Sequence, residues 1–272
     1  MSAPIIAVSV LSSYKNNAGQ FASLPSRMGR STPDMQKALI RISSDVRAAG
    51  GAFRLSDLYR SYEMQLQAHM DYKSGKKSAY SPPPGGSMHE SGRAFDVDVG
   101  ALGVSLARFW EIAAKHGVVP IIDQPSTSIK ECWHFECRGS HELVRQYYKA
   151  GKGKNMKPSE AIAASAIVGT GVEVSRFKDQ TGVAIQSALI RLGQEIGDMD
   201  GALGPKSNAA ITALGIAPGE AAGVLAALEA KLAKAFPDEW DTAGASFSAG
   251  DFSDDSLFWE DSTAPDYLDG GD

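Results

Sequence analysis

The stretch from Lys73 to Gly86 sets the first limit on the fold. It holds Gly75, the run Pro82-Pro83-Pro84 and the pair Gly85-Gly86, so neither a helix nor a central strand can pass through it. Irregular loops of this length inside a compact unit tend to carry function. The elements around it are short. Ser31-Thr32-Pro33-Asp34 opens a helix, with hydroxyls for capping, a proline suited to the first turn and an acid at the positive end of the dipole. Leu39, Ile42 and Val46 continue it at helical spacing, and Gly50-Gly51 ends it. Residues 53–58 alternate as a half-buried strand does, and 62–72 reads as a helix. Past the loop, strands are expected at 95–99, 118–122 and 132–137, and helices at 105–116 and 141–148. This alternation points to an α+β unit over residues 31–150, with a small antiparallel sheet and flanking helices, preceded by an arm over residues 1–30.

Residues 151–172 begin with the polar, glycine-containing segment Gly151 to Pro158 and are expected to form a linker. Residues 173–237 then turn rich in Ala, Ile, Leu and Gly and read as a small all-α unit of three helices, near 183–192, 206–214 and 219–236; a further helix is expected at 160–168. From Asp238 onward there are eleven acids and no Lys or Arg, so the formal charge of -5 splits into a body of +6 and a tail of -11. Residues 238–272 are expected to be a disordered acidic tail that either docks on a particle or carrier protein through its acids and Phe258-Trp259 or folds back to mask the basic body.

Several classes are excluded. Hydrophobic content of 43% with 8% aromatics supplies a core, and two cysteines with four residues between them cannot build a disulfide framework. No apolar run is long enough for a membrane span. Met1 to Leu11 is apolar without a preceding Lys or Arg, so no clear signal peptide is read and synthesis in the cytoplasm is expected. No basic stripe with interleaved aromatics speaks for nucleic acid.

Chemistry concentrates in two segments, Ser87-Met88-His89-Glu90-Ser91-Gly92-Arg93-Ala94-Phe95-Asp96-Val97-Asp98 and Glu131-Cys132-Trp133-His134-Phe135-Glu136. A catalytic zinc needs three protein ligands, an open position and a nearby base. His89, Asp96 and His134 would supply two imidazoles and a carboxylate, and Glu131 the unligated carboxylate that moves the proton. Asp98 shares a strand face with Asp96 and competes for the same role. Cys132 and Cys137 are expected as buried free thiols, and His69, His116 and His141 as surface or capping residues.

These segments resemble the zinc D-alanyl-D-alanine carboxypeptidase family, which includes the VanY and VanX enzymes. Its pattern is Ser-x-His, six residues and Asp, then Glu-x-x-His, matched here by Ser87, His89, Asp96, Glu131 and His134; Tyr59-Arg60-Ser61 is similar to its upstream Tyr-Arg-Ser motif. The resemblance spans about residues 50–140 and selects Asp96 over Asp98. It implies a Zn2+ site and Arg60 in the pocket, bracing an oxyanion or a substrate carboxylate, with Ser61, Gln65 and Ser87 as substrate contacts.

Leu192-Gly193, Asp200-Gly201 and Gly204-Pro205-Lys206-Ser207 resemble the marks of the three-helix peptidoglycan-binding domain, with Ser207 in place of the usual Thr. Together the two resemblances imply a zinc peptidase that cuts peptide stems of bacterial peptidoglycan, as a D,D-carboxypeptidase or an endopeptidase. They further imply action at the cell wall, in the periplasm or outside, carried on a phage or injection particle. The competing expectation is a cell-wall-binding structural component of such a particle with an inactive peptidase fold.

Overall fold

A computed structural model describes residues 2–217 and 219–243, so most of the segment expected as a disordered tail lies outside the described residues. The fold is α+β. Strands β1 (Ile6–Ala7) and β4 (Arg30–Ser31) form a small ribbon. Strands β2 (Leu11–Lys15), β3 (Phe21–Ser23), β5 (Leu55–Asp57), β6 (Ala94–Val97), β7 (Val118–Pro120) and β8 (His134–Cys137) form one sheet in the order β3-β2-β5-β6-β8-β7. Two expectations are corrected. The sheet is mixed rather than antiparallel, because β2 runs parallel to β5. Residues 1–30 are not an arm: they supply β2 and β3 and place Val8, Val10 and Leu24 in the core. Strands of two to five residues are too short for a period-2 pattern to register, yet pairing them covers the β5 edge.

Sheet alternation separates packing from chemistry. Phe95 and Val97 of β6, with Phe135 and Cys137 of β8, point into a cluster with α1 (Pro33–Ala48) and α3 (Leu106–Lys115). There Phe95 stacks on Phe135 at 5.7 Å, and Phe109 meets Phe135 edge-on at 4.8 Å. The intervening residues Asp96, His134 and Glu136 face the other way.

Helices α4 (Glu142–Lys149), α5 (Pro158–Gly169), α6 (Gln180–Arg191), α7 (Pro205–Ala213) and α8 (Ala221–Ala235) enclose a second core. The expected three-helix unit is thus a five-helix cluster, and the expected 151–172 linker is largely α5. Every residue from Ala161 to Val168 is buried. One side of α5 packs in the second core, and Ile162, Ala163 and Ala166 pack on Met88 and Ala94. An apolar run that points in all directions is a buried helix rather than a tether. Even the polar lead-in is pinned, since the Lys154 N–H donates to Asp198 Oδ1 at 2.6 Å.

The Asp200-Gly201 mark is a clasp. Gln186 Oε1 accepts from the N–H groups of Asp200 and Gly201. Gly201 sits at φ +91°, and a Cβ on Gly182 would stand 2.0 Å from the Gly201 carbonyl. Both glycines are therefore required by close backbone approach. The first residues of the acidic segment are also folded. Asp238 and Asp241 both take Lys37, and Glu239 is 3% exposed. Among the described residues no helix is long and apolar enough to cross a membrane.

The Pro/Gly loop is tied down rather than loose. It follows α2 (Tyr62–Lys73), from which Gln65 Nε2 donates to Ser81 Oγ and the Pro82 carbonyl. Glu90 accepts from the N–H groups of Gly85 and Ser87, and Ser175 donates to the Pro84 carbonyl.

Candidate metal centre

Register places the site. Asp96 of β6 lies opposite His134 of β8 and is paired on its other side with Asp57 of β5, so three polar residues form one row across three central strands. The third imidazole-bearing or carboxylate position comes from a 3-10 turn, Met88–Ser91, which Ser87 and Glu90 close as a capping box and Gly92 ends at φ +64°. Ligand atoms of His89, Asp96 and His134 all lie within 4.8 Å of one another, the one such group among the described residues that could hold a metal ion. Asp98 is not part of it.

The imidazoles are set for ligation. His89 Nδ1 lies 2.7 Å from the Leu58 carbonyl, which can only accept, so Nδ1 is a donor and Nε2 is the nitrogen turned to the site. Nε2 is buried, has no hydrogen-bond partner and lies 3.3 Å from Asp96 Oδ1. An orphaned buried ring nitrogen facing a carboxylate is costly without a cation between them. His134 presents Nδ1 to Asp96 Oδ1 at 3.0 Å, while Nε2 lies 3.6 Å from Glu136 Oε1; Arg138 Nε in turn donates to Glu136 at 2.6 Å. An outer carboxylate on the far nitrogen is the arrangement that orients a metal-bound histidine. Two imidazoles and a carboxylate with these outer partners fit Zn2+.

Electrostatics follow from this crowding. Burial alone would raise the Asp96 carboxyl, but the His89 and His134 rings outweigh it and hold it well below its usual range. Burial would lower His134, yet hydrogen bonds to Asp96 and Glu136 push it up to about 10. A cation could take over the charge that this imidazolium otherwise supplies.

Glu131 stands outside the trio. Burial and the nearby Asp96 charge raise its carboxyl, opposed by His134, Lys77 and His89. It is the one non-glycine among the described residues with positive φ, at +68°, a conformation that costs a residue with a Cβ roughly 1–2 kcal/mol. The Glu131 carbonyl accepts from the His134 N–H at 3.0 Å, so the strained turn also anchors the metal-site strand.

Arg60 is partly exposed, its side chain 12% open to solvent; Nε donates to Asp57 Oδ2 at 2.6 Å, a second nitrogen lies 2.5 Å from the same oxygen, and the third donates to Gln65 Oε1 at 3.2 Å. Asp96 is 3.7 Å away. Gln65, expected as a substrate contact, is 0% exposed and struts Arg60 to the loop. Ser61 caps α2 through the Met64 N–H, and Ser87 caps the 3-10 turn through the His89 N–H. Cys132 and Cys137 are buried and free. His141, expected as a surface or capping residue, stands at the N-cap position of α4, with its ring buried on Ser165 Oγ at 2.8 Å. Asp57 and Glu136 were missed from sequence. Their signals are an acid three residues before Arg60 and an acid two residues after His134, on the same strand face.

No family model and no curated protein matches the sequence. Among solved structures, the chain is similar to the LD-carboxypeptidase LdcB, at 17% identity over 49% of this chain and 67% of that one, with a TM-score of 0.38. It is also similar to VanYB in complex with D-alanine-D-alanine, at 19% identity over 53% and 85%, with a TM-score of 0.33. A third likeness is to DacB of Streptococcus pneumoniae, at 22% identity over 55% and 91%, with a TM-score of 0.32.

Proposed function

We propose that the chain is a zinc-dependent peptidase that hydrolyses an amide bond in the peptide stems of bacterial peptidoglycan. The observation that carries the reading is the buried His89–Asp96–His134 trio with its orphaned Nε2, beside a Glu131 whose carboxyl is raised by burial and by the Asp96 charge. The substrate class rests on the motif resemblance. Zinc in this trio would act as a Lewis acid and lower the pKa of water in the site.

The chain's own residues divide the remaining work. Glu131 takes the proton of the attacking water and returns it to the leaving amine. Arg60 spends three of its five N–H donors on Asp57 and Gln65. The other two are left to hold the negative charge that develops on the scissile carbonyl oxygen. Asp57 and Gln65 fix that guanidinium, while Ser61 and Ser87 serve through the backbone they cap.

Purified protein should hold one zinc per chain and release cleaved stem products from sacculi, read by metal analysis and mass spectrometry. His134→Ala should lose both the zinc and the products. A zinc-loaded wild type that releases nothing refutes the reading. Asp57→Asn should keep its zinc and lose about 10- to 100-fold in kcat/KM, the worth of one hydrogen bond to a charged group. Unchanged turnover would remove Asp57 from the positioning of Arg60.

A further inference from the structure

Helix α2 is built inside out. Its buried side carries Gln65, Ala68 and Asp71, held by hydrogen bonds rather than by apolar packing. Its exposed side carries Tyr62, Leu66 and Met70 at four-residue spacing, at 46%, 39% and 55% exposure. Three of the seven large hydrophobic residues exposed among the described residues thus share one stripe. Patches of this kind, rich in Tyr and Met, mark contact surfaces. The stripe runs into the exposed Lys73, Lys76 and Lys77, so its partner should be apolar and acidic together.

The chain carries such a partner. Beyond Ala243 its sequence has eight acids and no Lys or Arg, and Leu257-Phe258-Trp259 lies between Asp254-Asp255 and Glu260-Asp261. The described chain ends at Ala243, whose N–H is tied to Asp241, itself on Lys37. Fifteen residues onward to Phe258 span up to about 50 Å when extended. A folded chain of this size has a radius of gyration of roughly 18 Å. The segment can therefore reach α2 from where it starts.

We propose that Leu257-Phe258-Trp259 docks on the Tyr62, Leu66 and Met70 stripe of α2, with its flanking acids against Lys73, Lys76 and Lys77. Because α2 begins two residues after Arg60, the docked segment borders the metal site. This interaction is independent of the hydrolase reading, since its test reads contact rather than turnover.

The test uses the full chain, with zero-length carboxyl–amine cross-linking and mass spectrometry on an equal mixture of unlabelled and 15N-labelled protein. Lys73, Lys76 or Lys77 should join Asp254, Asp255, Glu260 or Asp261 within one isotopic chain. The links should be lost in Phe258→Ala/Trp259→Ala and in Leu66→Glu/Met70→Glu, and should weaken at high salt. In parallel, peroxide oxidation of Met70 should be several-fold slower in wild type than in Phe258→Ala/Trp259→Ala. Links that are absent, that survive both double variants, or that join only chains of different label overturn the proposal. So does a Met70 shielded only after adding sacculi or phosphatidylglycerol vesicles, which would assign the stripe to polymer or membrane.

Discussion

Glu131→Gln is expected to keep the fold and the zinc and to lower stem-peptide hydrolysis by about 10²- to 10⁴-fold, the range for loss of a positioned general base. The amide matches the carboxylate in size and keeps the backbone at its positive φ, so the strained turn and the His134 N–H it anchors are undisturbed. What disappears is a proton acceptor. The raised carboxyl of Glu131 is tuned by burial and by Asp96, and a base with a pKa brought toward the working pH both accepts and returns a proton efficiently. The variant should therefore fall mainly in kcat, with KM for a soluble stem peptide little changed. Metal analysis separates the causes: a variant that has lost its zinc speaks for a ligand or structural role. A zinc-loaded variant that turns over at the wild-type rate removes Glu131 from the chemistry.

The metal trio was legible because its residues lie close to one another in two short segments, and the motif spacing carries over to β6, β8 and the turn before β6. The helices were legible for a similar reason, since caps and 3.6-residue periods are local signals. What the sequence hid is long-range. Asp57 acquires its role only when β5 pairs with β6, and the β2 and β3 strands only when β2 finds β5. The exposed stripe of α2 is hidden in the sequence, because Tyr62, Leu66 and Met70 have the spacing of a core face. Only the polar contacts of Gln65 and Asp71 reveal that the helix is turned the other way. Likewise, α5 was recognised as helical but assigned to a linker, since nothing local states that both of its sides will be covered.

Glu239 is the clearest case of a hidden residue, and its removal should have the largest effect on stability. It belongs by sequence to the acidic tail, yet it is buried between the two cores. Oε1 accepts from the Ser140 N–H at 2.6 Å, and Oε2 lies 2.6 Å from Arg191 and 3.4 Å from Arg93. Arg93, fully buried, is held on its other side by Asp34 at 2.6 Å and by the Cys137 carbonyl. Two acids thus balance two guanidinium groups. His141 adds no charge, because burial and the nearby Arg191 and Arg93 hold it well below its ordinary 6.5. Glu239→Ala leaves Arg191 and half of Arg93 buried without a counter-charge, which should cost about 3–5 kcal/mol. Against a typical total of roughly 5–15 kcal/mol, that is a large share. The pH dependence has a definite sign. The unfolded chain protonates His141 as pH falls below its ordinary 6.5 while the native one resists, so acid erodes stability from there downward. Burial would raise Glu239, but Arg93 and Arg191 lower it below its ordinary 4.5, so its contribution is present above that value and is lost as pH falls further. Thermal melts across pH should show both segments in wild type, and Glu239→Gln should make the lower one shallower while Asp96 and Glu136, whose carboxyls are also lowered, keep the rest of it. A Glu239→Ala variant that melts with the wild type at neutral pH would mean that the two cores are held together without this ion network.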